Sequence, residues 1–332
     1  MKLSILDQAP IPAGKTAQET LQDSIRLAQV GDRLGYTRYW IAEHHDLTGL
    51  ACPVPDMMIG IIASQTKNIR IGAGAVLLPH YKPFRVAEIY NMLATLYPDR
   101  IDLGIGRAPG GSAEVTMALS DNFLEQVRKV PEKIDDLLRF LHHGFPKDHM
   151  YAKIKPTPVP SIAPETWMLG TSGKSAVLAA EKGMAYTFGH FMSDADGPAI
   201  VENYQRLMAE KHPEQPASVI VTITVVCAET TEKAEQLAMS SLLWNVLRAK
   251  GEGEEGVPTV DEALSYPFSE EEQEMVRKAK EKMVIGNPQE VEEQLRILQQ
   301  AYQVDELMIV TIVHDHEARI KSYEWIANEL LR

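Results

Sequence analysis

Segments rich in β-branched and apolar residues alternate with amphipathic helical segments along all 332 residues, and this alternation predicts an α/β protein. Eight strand-like segments are joined by helices, and no change of composition marks a second domain. A (β/α)8 TIM barrel needs about 250 residues, so the chain has room for one barrel domain with insertions. A doubly wound open sheet is the main rival, although eight strands without a domain break favour closure into a barrel.

The strands are recognised by β-branched, aromatic and apolar runs that are bounded by turn residues. We predict them at 3–7, 37–42, 69–78, 101–106, 166–169, 184–188, 218–228 and 307–313.

Helix boundaries follow from capping residues. Thr16 and Glu19 have the spacing of a capping box ahead of an amphipathic run, and Gly35 is suited to end that helix. Further helices are predicted at 57–65, from Pro83, at 122–141, after 170–175, at 197–210, at 232–247, from Asn287, and near the C-terminus around Ile320, Tyr323 and Ala327.

Two stretches do not follow the alternation. Residues 144–163 are rich in proline and predict an irregular excursion. Residues 250–285 begin with the charged, glycine-rich run 251–256, which we expect to be mobile. This second insertion is long enough to form a lid over a site.

Composition excludes some classes of function. A net charge of −13 repels phosphate backbones and anionic lipid, so we expect neither nucleic-acid nor membrane binding. The N-terminal segment is too short and too polar for a signal peptide, and no apolar run is long enough to span a membrane. Cys52 and Cys227 lie far apart in apolar surroundings, which suits two free thiols in a reducing cytoplasm.

Ionisable groups crowd the end of the second predicted strand. Glu43, His44 and His45 follow its apolar residues directly, and the carboxyl ends of barrel strands face the active site. Neighbouring strand residues point to opposite faces, so the two histidines are poorly placed to share a metal ion, and we predict no metal site. Each histidine could be a core or supporting residue, but we expect one imidazole to face the pocket.

The fourth strand ends in Gly104-Ile105-Gly106-Arg107. A dinucleotide fingerprint would need a third glycine where Pro109 stands, and no helix opens there, so we reject that interpretation. The two glycines either permit a tight strand end or allow a ligand to approach. Arg107 either forms a surface ion pair or holds a phosphate through its planar guanidinium.

A second anion-binding candidate is Gly170-Thr171-Ser172-Gly173-Lys174-Ser175, which runs into a predicted helix. Backbone N–H groups and hydroxyls at a helix start can bind a phosphate. Ordinary N-capping by Thr171 or Ser172 is the simpler explanation. The run of small residues favours phosphate, whereas the spacing differs from a P-loop and argues against a nucleoside triphosphatase.

Taken together, these motifs resemble the luciferase-like flavin monooxygenases, the superfamily of bacterial luciferase. The likeness covers the chain from Met1 to the final helix. Each motif alone is weak evidence for the family, and the motifs are specific only in combination. It is carried by the stretches 40–45, 71–79, 100–107, 169–176 and 180–183.

The resemblance implies a TIM barrel that uses reduced FMN and O₂ to oxidise a small organic substrate. It also implies a separate NAD(P)H:flavin reductase and a homodimer formed through residues 55–66 and 84–97. His44 matches the catalytic histidine beside the flavin, and Gly74-Ala75 matches a non-prolyl cis peptide under its ring. The positions that match cofactor binding are Glu43, Gly74, Ala75, Arg107, Ala108, Gly170, Thr171, Ser172 and Ser175, of which Arg107, Thr171, Ser172 and Ser175 match the phosphate contacts.

Two positions depart from bacterial luciferase. Gly106 and Thr171 stand where that enzyme has a cysteine and a glutamate, so the chain is more similar to the single-type oxidoreductases of the family than to its light-emitting heterodimer. Two alternatives stay open: hydride transfer with the deazaflavin F420, and non-catalytic flavin binding. The substrate cannot be read from the sequence.

Overall fold

A computed structural model describes residues 1–331, in which eight parallel strands close into a barrel surrounded by helices. The closed barrel confirms the predicted fold class, and the open-sheet alternative is wrong. The strands are β1 (Lys2–Asp7), β2 (Arg38–Ile41), β3 (Arg70–Leu77), β4 (Ile101–Gly106), β5 (Glu165–Gly170), β6 (Ala185–Gly189), β7 (Val219–Cys227), β8 (Met283–Gly286) and β9 (Glu306–Val310).

The helices lie outside the barrel or over one end of it. They are α1 (Ala17–Leu34), α2 (Pro55–Gln65), α3 (Pro83–Leu96), α4 (Ala113–Leu119), α5 (Phe123–Arg128), α6 (Val130–His142), α7 (Gly173–Glu181), α8 (Gly197–Lys211), α9 (Thr231–Ala249), α10 (Val260–Ser265), α11 (Glu270–Lys280), α12 (Pro288–Tyr302) and α13 (His316–Leu330).

Closure follows from parallel pairing around the whole ring. β1 pairs with β2 on one side and β9 on the other, and β6 pairs with β7 to complete the circle. All eight predicted strands form this ring, with ends that shift by a few residues. The short strand β8 is additional and was not predicted. It pairs with Thr224–Cys227 of β7, beyond the residues that pair with β6.

The capping signals correctly placed the ends of two helices. Thr16 accepts a hydrogen bond from the backbone N–H of Glu19, and Gly35 ends α1 in the left-handed conformation. Asn287 caps α12 by accepting from the backbone of Glu290. These caps satisfy backbone groups that a helix end would otherwise leave unpaired.

The helix predicted at 122–141 is wrong in detail, because the structure divides it into α5 and α6 at Lys129. Pro131 lies in the first turn of α6, where its missing N–H is tolerated, whereas the interior of a continuous helix would lose a hydrogen bond there. The preceding helix α4 was missed, although Ser112 caps it by accepting from Val115.

The two stretches predicted to lie outside the strand–helix alternation differ from each other. Residues 144–163 contain no helix or strand, as predicted. Residues 250–285 contain α10, α11 and β8, and the glycine-rich run includes a 3₁₀ turn at Gly253–Glu255. Thr259 and Ser269 each start one of these helices with a capping box, a signal that the sequence contained.

The hydrophobic core has two layers. The larger layer lies between the strands and the surrounding helices. A smaller cluster fills the barrel itself, and its buried members are Leu6, Trp40, Ala42, Trp167, Ile220, Met308 and Val310. The barrel is therefore a packed core whose two ends are free to differ in chemistry.

The amino end of the barrel is closed by buried ion pairs. The Arg38 guanidinium lies 2.8 Å from Asp102, 3.0 Å from Glu306 and 2.9 Å from Glu165, and it stacks 4.6 Å from the ring of Trp167. Burial alone would lower the pKa of Arg38, but the three carboxylates outweigh burial and raise it. This end is a fully paired charge network.

Over residues 1–331, no helix combines the length and the apolar character that crossing a membrane requires. Cys52 and Cys227 are both buried free thiols.

Candidate active site

A cavity of about 300 Å³ opens at the carboxyl end of the barrel. Residues from β1 to β7, or from the loops that follow these strands, line it. Nine of the ten site residues predicted from the sequence lie on its wall, namely Glu43, His44, Gly74, Ala75, Arg107, Ala108, Gly170, Thr171 and Ser172. The topology therefore brings together segments that are separated by more than a hundred residues in the chain.

One wall of the cavity is an irregular stretch of β3. The peptide bond between Gly74 and Ala75 is cis, as predicted, and the pairing with β4 shifts register between Ala73 and Val76. A Cβ at position 74 would lie 2.7 Å from the Leu6 side chain and 3.3 Å from Trp40, so a larger residue would force these neighbours to shift. Gly74 and Ala75 line the cavity.

Glu43 supports this backbone from behind. Its carboxylate is buried and accepts hydrogen bonds from the backbone N–H of Leu77 at 3.1 Å and from the Tyr81 hydroxyl at 2.7 Å. The same carboxylate lies 2.8 Å from Nε2 of His45. With these partners, the Glu43 side chain fixes the walls of the cavity and has little capacity left for a ligand.

His44 differs from its neighbour His45. Its backbone N–H donates to the Cys52 carbonyl at 3.1 Å, whereas its ring Nδ1 is buried without a hydrogen-bond partner in the described part of the chain. Burial, followed by the charges of Arg248 and His45, lowers the pKa of His44 to about 4. The imidazole is therefore neutral at pH 7 and can accept a hydrogen bond or a proton from a ligand.

Arg107 and the start of α7 both line the cavity. Within residues 1–331, the Arg107 guanidinium has no carboxylate within 4.0 Å and donates no hydrogen bond, so the surface ion pair weighed above is not formed. Burial raises the pKa of Tyr186 to about 12, and the nearby charge of Arg107 opposes that rise. Tyr186 in turn lies 3.1 Å from Ser175 of α7, which places the guanidinium near this helix start.

The hydroxyls at the start of α7 have different surroundings. Ser175 is fully buried, donates to the Ser172 carbonyl at 2.7 Å, and is absent from the cavity wall. Thr171 and Ser172 line the cavity. The structure thus presents two of the three predicted hydroxyls to a ligand, together with the N-terminal end of the helix dipole.

Several lining residues were not predicted from the sequence. Gln8 reaches the cavity from the end of β1, Thr187 from β6 and Thr222 from β7, and Phe191 and Met192 also line it. The Thr187 hydroxyl is buried and has no partner among the described residues. Thr187 and Thr222 are polar residues inside otherwise apolar strands, and this pattern could have identified them as lining residues.

Among residues 1–331, no three His, Cys, Asp or Glu side chains are arranged so that they could hold a metal ion. His45 is engaged with Glu43 on the far side of the loop from the cavity-lining His44.

Comparison with known proteins places the chain in one family. Residues 1–303 match the family model described as luciferase-like monooxygenase, and the chain belongs to that family. It is 42% identical over 329 residues to the Bacillus subtilis protein YceB, covering 99% of both chains. It is 33% identical over 331 residues to the N-acetyl-S-alkylcysteine monooxygenase of Bacillus subtilis, covering 100% of this chain and 98% of the relative.

Solved structures agree with this assignment. The structure of apo-MsnO8 superposes with a TM-score of 0.87 at 33% identity over 99% of this chain and 97% of that one. The oxygenating constituent of 3,6-diketocamphane monooxygenase, in complex with FMN, shares the fold at 21% identity and a TM-score of 0.72, over 99% and 98% of the chains. An F420-dependent secondary alcohol dehydrogenase shares it at 14% identity and a TM-score of 0.64, over 98% and 97%.

Proposed function

We propose that this protein is a flavin-dependent monooxygenase that uses reduced FMN and O₂ to oxidise a small organic substrate. The observation that carries the proposal is the arrangement of one cavity: an unpaired arginine and a helix start lie at one part of its wall, and a buried neutral imidazole lies at another. Family membership supports an oxygenase, and the cavity chemistry supports FMN.

The phosphate of FMN fits the end formed by Arg107 and α7. A guanidinium, two hydroxyls and the backbone N–H groups of a helix start are the donors that phosphate oxygens prefer. Arg107, Thr171 and Ser172 would hold the group, while the buried Ser175 would hold the loop in shape. We assign phosphate binding to the first three and a supporting role to Ser175.

The ring of FMN fits beside His44 and the backbone at Gly74-Ala75. Bound reduced flavin supplies the electrons that activate O₂. His44 lines the cavity and is neutral at pH 7, because burial lowers its pKa to about 4, so its imidazole can accept a hydrogen bond from the bound cofactor or substrate. We assign that role to the His44 ring.

Binding titrations test the cofactor. We expect the protein to bind FMN more tightly than F420, measured by flavin fluorescence with each ligand in turn. Preferential F420 binding would replace this proposal by a hydride-transfer enzyme.

Stopped-flow absorbance tests the reaction. Bound reduced FMN should react with O₂ with kinetics that differ from free flavin, and His44→Ala should bind FMN normally but lose substrate oxidation by about 10²-fold or more. His142→Ala, an exposed histidine on α6, is the matched control. Free-flavin kinetics with the unmodified protein would contradict catalysis and leave a non-catalytic flavin-binding protein.

A homodimer and a separate reductase complete the proposal. Apolar side chains on α2 and α3 are unusually exposed, including Met57 at 67%, Leu96 at 60% and Met92 at 51%. Such a patch suits a protein interface, and we propose that it pairs two copies of the chain. A cytoplasmic NAD(P)H:flavin reductase would supply reduced FMN. Sedimentation should show a dimer that Met92→Lys with Leu96→Lys converts to a monomer, and an unmodified protein that sediments as a monomer contradicts the pairing.

A further inference from the structure

A second cavity, of about 520 Å³, adjoins the candidate flavin site. The two cavities share Gln8, His44, Phe191 and Met192, so a molecule in the second lies next to one in the first. Its outer wall consists of α9 together with α11 and β8, which belong to the insertion at 250–285. The insertion thus builds part of a chamber around His44.

All the charged side chains that line this chamber are positive. Arg248, Lys278 and Lys282 line it, and no aspartate or glutamate appears among the described residues of its wall. This is unusual in a chain of net charge −13. The rest of the lining is largely apolar, with Trp244, Met275 and Ile312 among its members.

Arg248 differs from the two lysines in its partners. Lys278 lies 3.6 Å from Glu274, and Lys282 contacts the exposed Asp194. In residues 1–331, the Arg248 guanidinium has no carboxylate within 4.0 Å and donates no hydrogen bond. It lies 4.9 Å from the centre of the Trp244 ring, which orients its planar group.

The position of Arg248 relative to His44 indicates how a bound molecule would be oriented in the chamber. The positive charge of Arg248 contributes to lowering the pKa of His44, so the two groups are close enough to interact electrostatically. A small molecule held by the guanidinium can therefore extend along the shared wall to the imidazole. Its charged end would face α9, and its apolar part would face the flavin site.

We propose that the second cavity binds the substrate of this enzyme through a carboxylate held by Arg248. The substrate class is a small organic acid with an apolar segment, and the atom to be oxidised lies at the end away from the carboxylate. This inference rests on the proposed function, because it places a substrate beside the cofactor. A guanidinium without a carboxylate partner among the described residues can form two parallel hydrogen bonds with a carboxylate, which a lysine ammonium cannot do.

Calorimetric titration of the protein tests this binding. The probes are N-acetyl-S-methylcysteine and a series of short n-alkanoates, each compared with its primary amide, which has the same shape without the charge. We expect at least one acid to bind about tenfold or more tightly than its amide. Arg248→Met, which keeps the stem against Trp244, should abolish this preference, and Arg248→Lys should restore part of it.

The control variant is Arg206→Ala, an exposed arginine on α8 that pairs with Glu210, and it should leave acid binding unchanged. Each variant is first shown to melt like the unmodified protein and to bind FMN with unchanged affinity. Acids and amides that bind equally, a preference that survives Arg248→Met, or no acid binding across the series would overturn the inference. FMN titration separates the two proposals: FMN binding without acid binding refutes only this inference, and acid binding without FMN binding refutes only the proposed function.

Discussion

The charged groups at the two ends of the barrel differ in whether they have ion-pair partners. At the amino end, Arg38 is surrounded by Asp102, Glu165 and Glu306, and every charge has a partner. At the carboxyl end, Arg107 has none within the described chain, and His44 has a buried ring nitrogen without a partner. The charges at the amino end are paired within the protein itself, whereas the carboxyl end has groups without partners among the described residues, and we propose that a ligand pairs with them.

Physical chemistry explains why the difference persists. A buried ion that has no partner is strongly destabilising, so the groups inside the amino end must be paired. Arg107 is only half-buried and borders an open cavity, where water can solvate it until a ligand arrives. We propose that the amino end serves stability and the carboxyl end serves binding, and the following variants test that division.

The largest effect is expected from Arg38→Met. Removing this guanidinium leaves Glu306 as an uncompensated buried charge and leaves Asp102 with Arg70 as its remaining ion-pair partner, which should lower the free energy of unfolding by about 3 kcal/mol. Thermal melting monitored by circular dichroism measures the change. The folded fraction should still bind FMN with unchanged affinity, and a specific loss of FMN binding without a loss of stability would show that the two ends are not divided in this way.

The next largest effect is expected from Arg107→Ala. Loss of a charge-assisted contact should weaken FMN binding by about 1.5–3 kcal/mol, or roughly tenfold to a hundredfold. Stability should stay unchanged, because Arg107 has no ion-pair or hydrogen-bond partner among residues 1–331 to lose. Fluorescence titration measures the affinity, with the exposed Arg85→Ala as the control. An unchanged affinity would remove Arg107 from the phosphate site.

A smaller effect should separate two serines of the same loop. Ser172→Ala should weaken FMN binding by about 0.5–1.5 kcal/mol with little change in melting temperature. Ser175→Ala should instead lower stability, because its buried hydroxyl donates to the Ser172 carbonyl. Paired titration and melting curves measure both quantities. The reverse result would exchange the roles assigned to the two residues.

The smallest effect concerns the pKa of His44. Because the positive charge of Arg248 disfavours imidazolium, Arg248→Met should raise this pKa from about 4, although burial should keep it below the usual 6.5. The folded-state pKa is depressed, so this group stabilises the fold above pH 6.5 and that contribution is lost as the pH falls towards 4. Histidine NMR titration measures the shift. A pKa of His44 near 6.5 in the unmodified protein would contradict a buried, neutral imidazole.

The two ends also differ in how far the sequence revealed them. The carboxyl end was accessible because Glu43, His44 and Arg107 directly follow recognisable strands, and parallel strands gather their carboxyl ends at one face. The ion-pair network at the amino end could not be predicted from the sequence. Asp102, Glu165 and Glu306 meet Arg38 only through the register of strands that are distant in the chain. The local sequence pattern determines where a helix or strand forms. Side-chain contacts between strands depend instead on closure of the whole barrel.

Two further misses have local causes. The break at Lys129 depends on Pro131, whose effect on a long helix was not weighed. Within the insertion at 250–285, the run 251–256 was expected to be mobile, and the capping boxes at Thr259 and Ser269 that start its helices were not recognised. Helix α11, which lines the chamber together with Arg248, was therefore not predicted.

The most direct test of the central claim is a crystal structure of the protein with FMN bound. The account predicts the phosphate within hydrogen-bond distance of Arg107, Thr171 and Ser172, and the ring against Gly74-Ala75 beside His44. A phosphate bound elsewhere on the barrel, or a carboxyl-end cavity that stays empty at saturating FMN, would contradict the assignment of this end as the flavin site.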